Sequence, residues 1–264
     1  MFKKTALFAG LALALTGTAQ AEEYSWEAGA GISGSDIEGF DLGISYFFQP
    51  VDDSKGPYRE AAFIDRASSV TVFGSDGEVD NSADTEEYGI DVRYITAGSG
   101  WIIDAAYARS EASVGGFDAE VDAYGLTVGK YIAENTTLEI GYAYAEDDSG
   151  AELDNYGIEI QHLMNWEDSG LKLGGGYVYS ETDDGGNDRD TYFVEATWYP
   201  CKNLGIGGGY SLADGEFGDT DIYSIGAEYF ITEHAAVSLS YLSEEVDDTD
   251  LESDVYRVGV NFRF

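Results

Sequence analysis

The chain has 264 residues with 13 basic and 51 acidic side chains, which gives a formal net charge of −38 at pH 7. A charge of this size and sign excludes nucleic acids and anionic lipid surfaces as partners, because both would repel the protein. The aromatic content of 14%, with 20 tyrosines, argues against a disordered chain in spite of the charge.

The first 21 residues have the layout of a secretory signal peptide. Two lysines precede an apolar run, Thr5 to Leu15, and Ala19-Gln20-Ala21 supplies an A-x-A cleavage sequence. The apolar run is shorter than the roughly 20 residues that a spanning helix needs, and no other stretch approaches that length. We therefore expect residues 1–21 to be removed on export and residues 22–264 to form the mature protein. If this protein lies in a membrane, it crosses as strands.

One strand pattern recurs seven times along the mature chain. Each copy has an acidic residue, any residue, an aromatic residue, and then an alternation of polar or small side chains with apolar ones. The copies are EGFDLGISY (38–46), EEYGIDVRY (86–94), DAYGLTVGK (122–130), DNYGIEIQH (154–162), DTYFVEATW (190–198), DIYSIGAEY (221–229) and DVYRVGVNF (254–262). The second and fourth residues after the aromatic are apolar in every copy, which predicts strands with one apolar face.

A second kind of alternating segment precedes each copy. These segments are WEAGAGI (26–32), VTVF (70–73), WIIDAAYA (101–108), LEIGYAY (138–144), LKLGGGYVY (171–179), LGIGGGY (204–210) and VSLSY (237–241). Seven hairpins of this kind predict fourteen strands. The spacing of 31 to 48 residues between copies fits two strands of about ten residues with their connections, the length of a tilted membrane strand.

The connections between these strands alternate in length and charge. Those on one side are short, for example TAGSG (96–100) and PCKN (200–203), whereas the seven on the other side are mostly longer and together hold 33 of the 51 acidic residues. Outer-membrane barrels have short periplasmic turns and longer external loops. The sequence therefore predicts an all-β fold, a single up-and-down transmembrane barrel, with its acidic connections outside the cell and both ends of the mature chain in the periplasm.

One connection departs from this scheme. QPVDDSKGPYREAAFIDRASS (49–69) falls on the short-turn side yet is the longest in the chain, and its two prolines argue against a continuous strand. It is a structured periplasmic turn, an irregular start to the third strand, or a segment folded into the lumen. A hairpin hidden here would give sixteen strands, and loss of the weak VTVF strand would give twelve.

The last strand carries the most specific resemblance to a known family. Its outward positions are all apolar: Tyr256, Val258, Val260, Phe262 and Phe264. Together with the signal peptide and the seven-fold repeat, this strand resembles those of Gram-negative outer-membrane porins, particularly the smaller ones. The resemblance implies that the terminal strand is the signal that the barrel-assembly machinery recognises during biogenesis.

The inward face of the predicted barrel is rich in glycine and serine, which predicts a lumen that side chains alone do not close. Gly-Gly-Gly-Tyr occurs twice in it, at 174–177 and 207–210. Twelve ionisable residues are predicted to line the pore: Glu27, Asp41, Asp91, Arg93, Asp104, Glu139, Glu159, Lys172, Glu195, Glu228, Arg257 and Arg263.

These features favour a passive outer-membrane channel for small hydrophilic solutes that prefers cations, because acids outnumber bases in both the lumen and the external connections. A non-conducting structural or adhesive barrel is the alternative, and an outer-membrane enzyme is a weaker one. The only histidines, His162 and His234, fall at or near the short turns, away from the outer rim. No cofactor is expected. Outer-membrane lipid and lipopolysaccharide are the expected surroundings, and whether the acidic loops bind divalent cations is left open.

Overall fold

The structure is a computed structural model that describes residues 23–35, 37–79, 83–114, 117–183, 188–215, 218–246 and 251–264. The predicted signal peptide lies outside the described residues. The strands are β1 (Glu23–Ser35), β2 (Ile37–Asp52), β3 (Ser69–Val79), β4 (Ala83–Ile95), β5 (Trp101–Val114), β6 (Phe117–Ala133), β7 (Thr136–Asp147), β8 (Glu152–Trp166), β9 (Ser169–Thr182), β10 (Arg189–Cys201), β11 (Leu204–Gly215), β12 (Thr220–Thr232), β13 (Ala235–Val246) and β14 (Leu251–Arg263). Within these ranges no helix has the length and apolar character needed to cross a bilayer.

The fourteen strands of the described chain close into one antiparallel barrel. Each strand pairs with its neighbours in sequence, and β14 pairs with β1. The predicted up-and-down barrel of fourteen strands is confirmed, and the alternatives of twelve and sixteen are wrong. Closure leaves no free sheet edge, which holds the barrel together without a disulfide. The single cysteine, Cys201, is free.

The distribution of apolar side chains is the reverse of that in a water-soluble domain. Large apolar residues on the outward face are widely exposed: Ile140 is 58% exposed, Val194 60% and Leu239 58%. Their neighbours in sequence point inward and are small or polar, with the exception of Phe193. An exposed apolar band around the whole barrel is the surface that lipid chains cover.

The connections predicted to be long acidic loops are mostly strand. The segment 74–87 is divided between β3 and β4, which stay paired as far as Val79 and Ala83. Its Asp, Ser and Gly residues are depleted in ordinary strands, so composition favoured a loop. Beyond the apolar band the two strands stay paired, so many of the acidic side chains project from strands rather than from loops.

The seam between β1 and β14 ends at the last residue of the chain. The Ser25 and Trp26 amides donate to the Phe264 carbonyl oxygen at 3.1 and 2.8 Å, and the Phe264 amide donates to the Trp26 carbonyl oxygen at 3.0 Å. Phe264 therefore supplies the final rung of the ladder that closes the barrel.

Deletion of Phe264 should reduce the amount of folded barrel without affecting export, because it removes these three backbone hydrogen bonds as well as the terminal aromatic side chain. The folded fraction is measured by heat-modifiable migration on gels of outer-membrane fractions. The control is Phe264→Ala, which keeps the backbone rung; if the side chain serves the assembly machinery, this variant refolds normally in detergent but assembles poorly in cells. Wild-type amounts of folded deletion variant would contradict the prediction.

The long connection after β2 folds into the barrel. It contains two 3-10 turns, Asp53–Lys55 and Tyr58–Glu60, followed by the four-residue helix α1 (Ala61–Ile64). We call residues 53–68 the plug. Of the three arrangements that the sequence allowed, the segment folded into the lumen is the one observed.

Candidate functional site: the lumen and its plug

A ring of large buried side chains surrounds the plug at the short-turn end of the lumen. In every copy of the seven-fold repeat, the seventh residue after the aromatic faces inward at this level. These residues are Phe47, Ile95, Tyr131, Leu163, Tyr199, Phe230 and Arg263, and none is more than 8% exposed. The residues predicted from the sequence include Arg263 but not the rest of this ring. A pattern in the sequence does mark it: six of the seven copies have an apolar residue at this position, whereas the other inward positions are mostly small or polar.

Apolar contacts hold the plug against β1 and β2. Ala61 and Ala67 of the plug form one buried cluster with Tyr24, Phe47 and Val51. A β-bulge in β1 lets Tyr24 join this cluster, because it shifts the register between residues 24 and 26. The bulge turns a side chain inward that the strand alternation would otherwise direct to lipid.

Phe63 of α1 forms a second apolar contact. It packs against the cluster of Ile95, Ile102 and Tyr131, with its ring 5.5 Å from that of Tyr131. The Tyr131 hydroxyl also donates to the Phe63 carbonyl oxygen at 2.8 Å. The plug is thus tied to β4, β5 and β6 as well as to the strands that flank it in sequence.

On the opposite side, from β8 to β12, the contacts are mainly polar. Arg59 lies 3.1 Å from the Glu228 carboxylate, and Glu60 lies 3.3 Å from the Lys172 ammonium group and accepts a hydrogen bond from the Tyr199 hydroxyl. Both plug residues were missing from the predicted site, because nothing local in the sequence shows that this segment enters the lumen.

Backbone groups of the plug add further polar contacts on this side. Asn165 donates to the Lys55 carbonyl oxygen at 2.7 Å, and the Lys202 ammonium donates to the Ser54 carbonyl oxygen at 2.9 Å. Within the plug region, hydrogen bonds to Asp65 and Asp52 raise the pKa of Lys55. These internal bonds tie the first turn of the plug to its last residues.

Two cavities lie against the plug, and Ala62 and Phe63 border both. The first has a volume of about 540 Å³ and is lined mainly by β4 to β8, and the second has about 730 Å³ and is lined by β9 to β14 and β1. Eleven of the twelve predicted pore residues line them. The first cavity holds Asp91, Arg93, Asp104, Glu139 and Glu159, and the second Glu27, Lys172, Glu195, Glu228, Arg257 and Arg263.

The predicted basic residues are all engaged in ion pairs. Arg93 contacts Asp104 and Glu139, both at 2.9 Å, while Lys172 contacts Glu60 of the plug. The other two pairs lie at the seam. Arg257 donates to Asp41 at 2.8 Å, and Arg263 donates to Glu27 at 2.8 Å.

Three of the predicted acids lack an ion pair within the described part of the chain. Asp91, Glu159 and Glu195 have no ion pair among the residues that the structure describes; Glu159 accepts a hydrogen bond from the neutral Gln161. Eight acids and four bases are predicted to line the lumen. In the structure, five of those acids form ion pairs. The predicted acids that lack an ion pair therefore lie on β4, β8 and β10.

Two of the lumenal glycines lie beneath side chains of the neighbouring strand. The Glu195 carboxylate lies across Gly174, where an added Cβ would come within 2.5 Å of it, and the Phe193 ring lies across Gly176 at 2.6 Å. A side chain at position 174 or 176 would therefore collide with a side chain of the neighbouring strand.

In five of the seven repeats, the acid that begins the repeat accepts a hydrogen bond from a tyrosine at the rim opposite the short turns. On the β5–β6 hairpin, Tyr107 stacks against Tyr124 with ring centroids 5.3 Å apart, and its hydroxyl donates to Asp122 at 2.8 Å. The same arrangement recurs as Tyr142 with Tyr156 and Asp154, Tyr177 with Tyr192 and Asp190, Tyr210 with Tyr223 and Asp221, and Tyr241 with Tyr256 and Asp254. The spacing of the acid and the aromatic therefore encodes an aromatic belt with its own hydrogen-bond acceptors.

Both histidines lie at the short-turn end. His162 is 2.8 Å from the Thr136 hydroxyl, and His234 lies in a turn beside Glu233. Across the described ranges, no group of three or more His, Cys, Asp and Glu side chains has the geometry to hold a metal ion.

Comparisons with known proteins agree with this architecture. The family model described as "Putative general bacterial porin" matches residues 11–173 and 167–264. No curated protein matches the chain at a significant level.

Among solved structures, the fold is similar to that of outer membrane protein Omp33 of Acinetobacter baumannii, with 21% identity, a TM-score of 0.64, and coverage of 93% of this chain and 100% of that one. It is also similar to a bacterial polysaccharide outer membrane secretin (11% identity, TM-score 0.52, covering 93% and 100%) and to the KdgM porin (11% identity, TM-score 0.51, covering 90% and 99%). Because the family model spans nearly the whole sequence and the barrel is of the outer-membrane kind, the chain belongs to the family of general bacterial porins of the outer membrane.

Proposed function

We propose that this protein is a passive diffusion channel for small hydrophilic solutes that prefers cations. The observation that carries the proposal is the excess of acid in the first cavity, where Arg93 is the one base among the described residues and the acids are Asp91, Asp104, Glu139 and Glu159. A cavity with an excess of negative charge raises the local concentration of cations. The orientation follows from the fold class, with the acidic rim outside the cell and the plug in the periplasmic half.

The dimensions of the lumen support small solutes. Cavities of about 540 and 730 Å³ are in the range of pockets that hold single small molecules. The outward apolar band and its tyrosine belt fit outer-membrane lipid and lipopolysaccharide as surroundings, and the terminal strand fits the barrel-assembly machinery as a partner during biogenesis.

Two other functions are alternatives to a channel. A structural or adhesive barrel would bind its partners through the acidic rim, and its lumen would stay closed. An enzyme would need a nucleophile or acid with a base at the outer rim, and the positions of both histidines at the opposite end do not support this.

Conductance in planar bilayers separates these functions. We expect the folded protein to conduct, and reversal potentials in a KCl gradient to show cation preference. The preference should weaken in part as total salt rises, because the Debye length falls from about 10 Å at 0.1 M to about 3 Å at 1 M and screens the rim. An anion-selective channel would contradict the proposal, and so would folded protein that never conducts.

A further inference from the structure

We infer that the plug is a movable gate, hinged on its apolar contacts with β1 and β2 and latched on the β8–β12 side by Arg59 and Glu60. The inference rests on the proposed channel function and adds to it the element that opens and closes the path.

The plug closes the lumen at the level of the seven-residue ring. Each repeat contributes one residue to that ring, and each of these residues is at most 8% exposed to solvent. The plug residues facing them, Ala61 at 2% and Glu60 at 4%, are equally buried. A solute passing from the cavities to the short-turn end therefore needs the plug to shift.

The two sides of the plug differ in what holds them. Near β1 and β2, displacement would expose the cluster of Tyr24, Phe47, Val51, Ala61 and Ala67, and exposing apolar surface to water is unfavourable. The plug is also continuous with β2 and β3 on this side. This side has the properties of a hinge.

The β8–β12 side has the properties of a latch. Its contacts are mainly an ion pair, a charged hydrogen-bonded group and backbone carbonyl acceptors. The apolar contacts on this side include the Tyr58 ring against Phe230 at 5.5 Å and the buried Pro57 ring beside Gly170. Polar contacts exchange with water at a small net cost, because both partners are solvated when they separate. The lumen that the plug would enter is itself polar.

Arg59 and Glu60 are the centre of the latch because they are adjacent in sequence and form ion pairs and hydrogen bonds with different strands. Arg59 pairs with Glu228 on β12, whereas Glu60 contacts Lys172 on β9 and Tyr199 on β10. The Arg59 side chain is 54% exposed, so water already reaches the Glu228 pair.

A disulfide lock tests the gate. The Tyr58 amide nitrogen lies 3.0 Å from the Lys202 carbonyl oxygen, which places the two Cα atoms near the roughly 4.4 to 6.8 Å that a disulfide spans. In a Cys201→Ser background, Tyr58→Cys/Lys202→Cys should lose conductance on oxidation and regain it with dithiothreitol. The matched control is Ser113→Cys/Asp118→Cys, a paired position on the outer β5–β6 hairpin, which should conduct equally when oxidised and reduced.

Weakening the latch should have the opposite effect. Arg59→Gln/Glu60→Gln removes the charge of both latch residues; glutamine keeps the size of Glu60 and shortens the side chain at position 59. We expect the fraction of time spent open to rise about tenfold or more, since charge-assisted hydrogen bonds favour the closed state. Glu167→Gln, the same acid-to-amide change in an exposed short turn, is the control and should leave gating unaltered.

The outcomes separate the gate from the channel. Wild-type conductance that neither the lock nor the latch variant alters would overturn the gate alone and leave the channel in place. Conductance in the latch variant but not in the wild type would support both. If folded wild type, latch variant and reduced lock variant are all silent, the channel function fails and the gate fails with it.

Discussion

Arg263→Met should be the most destabilising single substitution at the seam, lowering the free energy of unfolding by about 3 to 5 kcal/mol. The Arg263 guanidinium is only 4% exposed, pairs with Glu27 at 2.8 Å and donates to the Tyr58 carbonyl oxygen of the plug at 2.7 Å. It also stacks between the rings of Tyr24 and Phe230. Methionine keeps the apolar stem but leaves the Glu27 charge without its partner. Urea unfolding followed by tryptophan fluorescence measures the loss.

The neighbouring pair provides a matched control. Arg257 is on the same strand and pairs with Asp41, but its side chain is 47% exposed. Exposed pairs contribute about 0 to 1 kcal/mol, so Arg257→Met should have little effect. The double variant Glu27→Gln/Arg263→Met should recover part of the loss, because no lone charge remains. Equal effects of the two arginine substitutions would show that burial of the Arg263 pair does not matter.

Neutralising the three unpaired lumenal acids, in Asp91→Asn/Glu159→Gln/Glu195→Gln, should abolish most of the cation preference that persists at 1 M KCl. A carboxylate about 4 Å from a cation contributes about 1 kcal/mol even in water-like surroundings, or roughly fivefold in local cation occupancy. The lumen limits screening, so this part of the selectivity should survive high salt. Reversal potentials at 0.1 and 1 M measure it.

A variant with the same number of neutralised acids at the rim is the control. Glu78→Gln/Glu86→Gln/Glu111→Gln alters three exposed carboxylates of β3, β4 and β5. It should reduce cation preference at 0.1 M and leave it unaltered at 1 M, where exposed charges are screened. If the rim variant accounts for the preference at both salt concentrations, the lumenal acids do not control selectivity.

The barrel itself could be predicted from the sequence, because its rules are local. A strand side chain points to one face or the other according to its position, so the alternation in seven copies determined the strand type and the outward face and favoured fourteen strands over twelve or sixteen. The same alternation assigned residues such as Asp91 and Glu195 to the inward face. The sequence could not predict which of these residues form ion pairs, because pairs such as that of Arg257 with Asp41 join residues more than 200 positions apart.

The plug was decided by tertiary structure alone. Residues 49–69 have no period, and their two prolines exclude a continuous strand without saying where the segment goes. The destination depends on the ring of Phe47, Tyr131, Tyr199 and the other inward residues, which becomes a binding surface only when closure brings seven distant strand ends to one level. The sequence by itself therefore determined the wall of the barrel. Whether the lumen is open or closed depends on contacts between the plug and the wall, and these contacts exist only after the sheet has closed into a barrel.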